Sequence, residues 1–301
     1  LARAPAMVRP VLPGQQAVEP TVLLSNGRYH VSLRSNGAGT SRLGTVALVR
    51  ERDDALRDDQ GSFFFLRPAA GAPLVSVTQH PAPDPGAHYR SVFHADRVCF
   101  DAEWPALQAH VTCWVSPEDD IEFRQVELRN ASDAAIEIEF ISALLPTLAP
   151  PRADEAHPAF GALFVQAQWQ PAQQALVFER TPRLPTEARL QAAHFLAESD
   201  PQVLGLRLQT DRQRWLGRSR AASEPLAAFD PAPTAAVPAA MAAAYALPHQ
   251  PAVPPDAATG VPLVTGLDPV CALAVRLRIA PGGKARLTFA TGPRMCTWRP
   301  R

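Results

Sequence analysis

The sequence runs to 301 residues, and its 29 Lys and Arg are balanced by 29 Asp and Glu, so the formal net charge at pH 7 is zero. That balance argues against a nucleic-acid or anionic-membrane binder, which holds phosphate with a surplus of clustered cations. At 47% hydrophobic and 19% charged residues the chain reads as globular, with room for one large domain or two ordinary ones.

No apolar run of about 20 residues marks a transmembrane helix. Leu1 to Pro20 carries an Arg-Pro step, further prolines and a glycine instead of the apolar core of a signal peptide. A chain that opens on Leu1 is expected to be a piece of something longer, with residues 1–21 as an N-terminal extension and 22–299 as one domain.

From there the dominant pattern is alternation with period two in short runs cut by Gly, Pro, Asn and Asp, the pattern of half-buried strands. The first expected strands are Tyr29 to Arg34, Thr45 to Arg50 and Ser62 to Arg67, with Asn26-Gly27 and Asn36-Gly37 as turns. Four longer runs follow: Arg97 to Trp104, Leu107 to Ser116, Ile121 to Asn130 and Ile136 to Leu145. Neither face of the third of these is cleanly apolar, so protein is expected on both sides of it for part of its length. Later strands are expected at Leu163 to Gln170, Ala175 to Arg180, Ala192 to Ala197, Val203 to Leu208, Ala272 to Ile279 and Ala285 to Ala290. Helical periodicity is scarce, and the connections are too short for crossover helices. The reading is an all-β chain of antiparallel strands.

Asp230 to Gly260 breaks the rhythm, being almost entirely Ala and Pro. Proline at that density forbids a long helix or a central strand, so this stretch reads as a surface insertion between strands of one domain.

Chemistry is sparse. The chain has no G-x-G-x-x-G, Walker-type loop or G-x-S-x-G elbow, so nucleotide cofactors and the easily recognised hydrolases and kinases are unsupported, and no cofactor is expected. Cys99, Cys113, Cys271 and Cys296 show neither C-x-x-C nor zinc-ligand spacing. Cys99 and Cys113 sit in alternating runs as small buried hydrophobes, and no metal site is expected.

Acidic pairs occur at Asp53-Asp54, Asp58-Asp59, Glu118-Asp119-Asp120 and Asp154-Glu155. Glycosidic chemistry needs two carboxylates that face each other across a sugar, or one acid with phosphate as the attacking partner, whereas sequence neighbours on a strand point to opposite faces, so solvated turn residues are the simpler reading. Histidines 80, 110, 157 and 194 fall in or beside strands without a spacing that makes an acid–base set.

The stretch from Ala149 to Phe160 differs in kind. It reads as an ordered loop that combines Arg152, Asp154, Glu155, His157 and Phe160, the mixture that hydrogen-bonds sugar hydroxyls and stacks on sugar rings. A loop packed on a neighbouring domain would have the same composition.

Several segments in order also resemble a known family. Leu24-Ser25-Asn26-Gly27-Arg28-Tyr29, Gly37-Ala38-Gly39-Thr40-Ser41-Arg42 and Asp58-Asp59-Gln60-Gly61-Ser62-Phe63-Phe64-Phe65-Leu66-Arg67 are similar to the start of the β-supersandwich domain of glycoside hydrolase family 94. The branch they look like is the cyclic β-1,2-glucan synthases. Val115 to Asp120, His157 to Phe160 with Leu163-Phe164-Val165, Thr210-Asp211-Arg212, Leu216-Gly217-Arg218 and Leu267-Asp268-Pro269-Val270 continue the match. Two departures stand out: Pro68 where the family usually has Asp, and Thr40 where Tyr is usual.

The resemblance implies a large antiparallel β-supersandwich, galactose mutarotase-like, that packs on an (α/α)6 catalytic domain of the same parent. That barrel carries the general acid and the phosphate site, so no catalytic residue is expected among these residues. It implies a β-glucan oligosaccharide as partner, with Arg57, Asp58, Asp154, Glu155, His157 and Phe160 as candidate contacts, and a possible homodimer. The implied parent is a large membrane protein whose family 94 part lies on the cytoplasmic side of the bacterial inner membrane. An autonomous carbohydrate-binding module is the competing reading, in which Trp104, Trp114, Trp169, Trp215 or Trp298 supplies a stacking platform. Trp104 and Trp114 fall in strands and are expected in the core.

Overall fold

The computed structural model describes residues 8–14, 18–52, 59–68, 73–182, 189–234 and 260–293. Arg57 and Asp58, Cys296, Trp298 and residues 235–259 of the Ala/Pro-rich insertion lie outside that set.

The chain opens with strands β1 (Val8–Val11), β2 (Thr21–Ser25), β3 (Tyr29–Arg34), β4 (Gly39–Leu43), β5 (Val46–Val49), β6 (Ser62–Arg67) and β7 (Val75–Ser76). It continues through β8 (His88–His94), β9 (Val98–Glu103), β10 (Leu107–Val115), β11 (Glu122–Asn130), β12 (Ile136–Leu144) and β13 (Pro146–Ala149) to the short helices α1 (Pro151–Ala156) and α2 (Pro158–Ala162). Then follow β14 (Val165–Gln170), β15 (Ala175–Arg180), β16 (Leu190–Glu198), β17 (Val203–Asp211), α3 (Arg212–Leu216), β18 (Asp230–Pro231), β19 (Val261–Leu263), β20 (Pro269–Ile279) and β21 (Lys284–Pro293).

These strands form three antiparallel sheets. The large sheet has the order β1-β8-β9-β10-β11-β21-β16-β15-β14-β19, the middle sheet β18-β17-β20-β12-β6-β7 and the small sheet β13-β5-β4-β3-β2. Val8–Val11, within the expected N-terminal extension, adds the edge strand beside β8. The expected all-β supersandwich is what the chain builds.

One continuous core lies between the large sheet and the other two. Phe289 of the large sheet meets Phe64 and Phe140 of the middle sheet at ring distances of 5.2 and 6.0 Å. Tyr29, Val31 and Leu33 of the small sheet are fully buried in the same core.

A second, smaller core covers part of the outer face of the middle sheet. Phe65 there meets Trp215 of α3 edge-on at 5.6 Å, and Trp215 meets Phe229 in the same way. Two cores explain why β6 reads as an unbroken apolar run: Phe64 and Leu66 point into the main core, Phe63 and Phe65 into the second.

The mixed strand Ile121 to Asn130 has a simpler basis than the one expected from its sequence. Its inward face is Glu122, Arg124, Val126 and Leu128, all buried, so charge sits inside the core on one face. Arg124 Nε lies 3.3 Å from Glu122 Oε1, and Nη1 donates to the Ser62 carbonyl. Burial pushes the Glu122 carboxyl up while the Arg124 charge opposes it.

Two further expectations are corrected. Ala149 to Phe160 is not a loop but the end of β13 followed by α1 and most of α2. Pro151 and Pro158 each occupy a first helical position, where a fixed φ and a missing N–H cost nothing. Trp104 and Trp114 are both half-buried, Trp104 packed against the main core and Trp114 off it. Trp104 follows β9 and donates Nε1 to Asp84 at 2.9 Å, while Trp114 stacks on Phe123 at 5.3 Å on the outer face of the large sheet.

Candidate functional site

The segments that carry the family resemblance come together in pairs, and the pairs are structural clasps. Asn26 Nδ2 donates to the Asp119 carbonyl at 3.0 Å and to Asp120 Oδ1 at 3.1 Å, and Arg28 Nε reaches the same Asp120 oxygen at 3.1 Å. The Glu118 to Asp120 turn is therefore pinned to the β2–β3 turn. Gly39 N donates to the Gln60 carbonyl at 3.0 Å, tying the second segment to the third. A Cβ on Gly39 would sit 2.1 Å from the Ser32 carbonyl, so the close approach requires glycine.

The clasp around Asp154 organises the candidate rim. Arg50, directly after β5, is 7% exposed and grips Asp154 of α1, 6% exposed, with Nε and Nη2 at 3.1 and 3.2 Å from the two carboxylate oxygens. Arg50 Nη1 lies 3.7 Å from Asp268 Oδ1, and Asp268 Oδ2 accepts from Arg212 Nη1 at 2.9 Å. Arg52 Nη2 completes the group 3.7 Å from Asp154. Three arginines and two aspartates from four separate segments thus share one network.

The network fixes the short helices. Leu148, buried just ahead of α1, takes a left-handed φ of 51°, which an L-residue adopts only when its surroundings hold it there. Asp211 caps α3 by accepting from the Gln213 and Arg214 N–H groups, and so places Arg212 beside Asp268.

With α1 held in this way, the expected contacts separate by role. Asp154 faces inward with both oxygens taken. Glu155, His157 and Phe160 are exposed on α1, on the junction and on α2 respectively. Phe160 is 50% exposed and meets Phe164 edge-on at 5.2 Å, Arg180 lies 5.9 Å from the Phe164 ring, and Leu163 beside them is 54% exposed. This stretch therefore exposes a carboxylate, an imidazole and an aromatic ring within six residues. Arg57 and Asp58 lie outside the described residues.

Sequence reasoning missed Arg50 as the centre of the network. It ends an ordinary alternating strand and lies 104 residues from Asp154, so nothing local marks it.

A sizeable open concavity lies elsewhere. It is a groove of about 650 Å³ on the uncovered outer face of the middle sheet. Arg67, Arg207, Arg276, Arg278, Glu137 and Glu139 line it. Arg207 lies 3.0 Å and Arg67 3.6 Å from Glu139, so its polar walls are largely self-paired.

Among the described residues there is no His, Cys, Asp and Glu group able to hold a metal, and no helix long and apolar enough to cross a membrane.

Comparison with known proteins gives the fold a lineage. Over 214 residues, 71% of this chain, it is 34% identical to the cyclic beta-(1,2)-glucan synthase NdvB of Rhizobium meliloti (strain 1021), and it spans 8% of that protein's length. Among solved structures, a putative aldose 1-epimerase from Escherichia coli K12 aligns over 92% of this chain and 99% of its own, at 11% identity and a TM-score of 0.46. A putative kojibiose phosphorylase from the human microbiome aligns over 96% of this chain and 32% of its own, at 6% identity and a TM-score of 0.45. The model of the glycosyl hydrolase 94 supersandwich domain matches residues 10–266, and the chain belongs to that family.

Proposed function

We propose that this supersandwich is the non-catalytic partner of an (α/α)6 catalytic domain in a cyclic β-1,2-glucan synthase-like parent, and that it contacts the glucan through the rim on α1 and α2. The observation that supports the reading is the Arg50–Asp154–Asp268 network, which holds α1 by its buried Asp154 while Glu155, His157 and Phe160, within six residues of one another along α1 and α2, are exposed. An exposed ring beside hydrogen-bonding groups is what a sugar face and its hydroxyls require. Asp154 acts by holding α1, and the phosphorolysis or transfer step belongs to the partner domain. In this reading the parent works at the cytoplasmic side of a bacterial inner membrane. The covered share of the glucan synthase relative, 8%, supports a role as one part of a larger protein.

Calorimetric titration of the chain with linear and cyclic β-1,2-glucans, with cellobiose and glucose as controls, tests the contact. Saturable binding is expected, and Phe160→Ala should weaken it roughly tenfold through loss of a stacking face. Flat titrations with every glucan would overturn it.

A second reading, an autonomous carbohydrate-binding module, is favoured by Trp114 stacked on Phe123 at 5.3 Å and 20° on the half-buried outer face of the large sheet. Binding lost in Trp114→Ala and retained in Phe160→Ala would select it.

A further inference from the structure

The outer face of the large sheet carries an arrangement that the glucan reading does not use. Its register sets Arg90 of β8 opposite Asp101 of β9, Asp101 opposite His110 of β10, His110 opposite Glu127 of β11, and Glu127 opposite Arg286 of β21. This is one row of alternating charge. The adjacent row holds Val92, Cys99, Thr112, Gln125 and Thr288. Cys99 is therefore directly opposite Thr112 and diagonal to His110, spacings at which side chains on one sheet face meet.

The contacts have a direction. His110 Nδ1 lies 2.6 Å from Asp101 Oδ1, and Arg90 donates Nε and Nη2 to Asp101 Oδ2 at 3.1 and 2.9 Å. On its other side His110 Nε2 is 3.3 Å from Thr112 Oγ1, which is 3.8 Å from Cys99 Sγ. A carboxylate thus fixes one ring nitrogen and turns the other toward the thiol side, the geometry that activates a sulfur nucleophile.

The charges agree. The hydrogen bond to Asp101, then the contact with Cys99, raise His110 to about 10 against the opposition of burial, so the ring is an imidazolium at neutral pH. Burial pushes the Cys99 thiol up, but the hydrogen bonds of His110 and Thr112 and the charges of His110 and Arg97 bring it below its ordinary value. Glu127, the remaining charge in the row, is taken by Lys284 and Arg286 at 2.7 and 3.4 Å. The other described thiols behave in the opposite way. Cys113, on the inner face, is pushed by burial to about 12, and Cys271 is pushed well above the ordinary range.

We propose that Cys99 is a modification site, a thiolate poised beside His110 and positioned by Asp101, that takes low-molecular-weight disulfides. The Cys99 sulfur attacks one sulfur of the small disulfide. A new S–S bond forms as the reagent's S–S bond breaks, and the electron pair leaves with the second sulfur as a thiolate that His110 can protonate. The Cys99 sulfur is oxidised and the departing sulfur reduced, so no other oxidant is needed. Cys99 itself is 8% exposed, but the side chains of Arg90 and His110 beside it are 61% and 50% exposed, so the sulfur is approached over the imidazole.

The test uses the full chain with Cys296→Ser, which removes the one cysteine outside the described residues, and 5,5′-dithiobis(2-nitrobenzoate) as the disulfide. At pH about 6 an ordinary thiol is less than roughly 1% ionised, whereas Cys99 should react in a single fast phase at least about tenfold faster than in His110→Asn. Asp101→Asn should move the rise of rate to higher pH, and Cys99→Ser should abolish the fast phase. Oxidised glutathione should give a mixed disulfide that peptide mass mapping places at Cys99. Circular dichroism shows whether each variant is folded. A folded chain without a fast phase, labelling at Cys113 or Cys271 instead, or the same pH profile in wild type and His110→Asn would overturn the assignment.

Discussion

The Arg50–Asp154 and Arg90–Asp101 pairs use the same two side chains at nearly the same distances, and differ in where they stand. Both partners of the first are under 10% exposed on their side chains, and the pair joins the end of β5 to a helix far along the chain. In the second the arginine is 61% exposed, and the pair links adjacent strands of one sheet. Solvent and salt screen the second pair far more than the first. The buried pair is therefore committed to holding the fold, while the exposed one leaves the half-exposed His110, beside Cys99, able to exchange protons with solvent. Burial, more than residue type, separates structural charge from chemical charge in this domain.

The largest effect should come from breaking the buried pair on one side. Asp154→Ala leaves Arg50 charged and largely buried with only the more distant Asp268 for company. It should cost about 3–5 kcal/mol in urea unfolding, the range for an uncompensated buried ion. Replacing both partners, as Arg50→Met with Asp154→Leu, should recover most of that loss, since apolar groups of similar volume need no partner. A double variant as unstable as the single one would show that the clasp holds α1 by geometry that packing cannot replace. The single variant should also weaken glucan binding, because the rim is displaced with α1.

A second contrast lies between the two histidines. His194 on the inner face of β16 is 2% exposed, stacks on Phe289 at 5.8 Å and meets Thr291 Oγ1 at 2.9 Å, and its Nε2 finds no hydrogen-bond partner among the described residues. Burial, helped by the nearby Arg124 charge, lowers it from 6.5 to about 3. Between those values the unfolded chain binds a proton that the folded chain refuses, so stability falls as pH drops from about 6.5 toward 3. His194→Leu should flatten that part of the profile, measured as the urea midpoint of variant and wild type at neutral and mildly acid pH. Parallel profiles would show that His194 is not buried neutral.

Much of the sheet framework is legible in the sequence because period-two alternation is a local signal. Ser62–Arg67 and Ala175–Arg180 match the expected strands residue for residue. The helices escape because α1, α2 and α3 are 6, 5 and 5 residues long, too short for a period of 3.6 to show. The rim was legible only in part. The mixture of Glu155, His157 and Phe160 stands out as composition, but Asp154 turns inward because of an arginine 104 residues away. The Cys99 arrangement lies still further from view. Cys99 and Asp101 share one face of β9 and His110 and Thr112 one face of β10, as alternation predicts, yet only the β9–β10 register decides that these faces meet.

The smallest expected effect tests the exposed half of the comparison most directly. His110 is raised from 6.5 to about 10 in the fold, so the folded chain binds the extra proton, and the stability this contributes is complete below pH 6.5 and lost as pH rises through about 10. With half of its side chain exposed, solvent and salt screen the pair, and its worth should not exceed about 1 kcal/mol. His110→Asn should therefore lower the urea midpoint slightly at pH about 6, converge with wild type at pH about 10, and lose most of the difference in about 1 M salt, where the screening length shrinks to about 3 Å. The same variant should abolish the low-pH reactivity of Cys99. A large, salt-independent loss of stability in His110→Asn would mean that the row of alternating charge is as much a structural clasp as the one around Arg50, and the distinction between the two regions would fall.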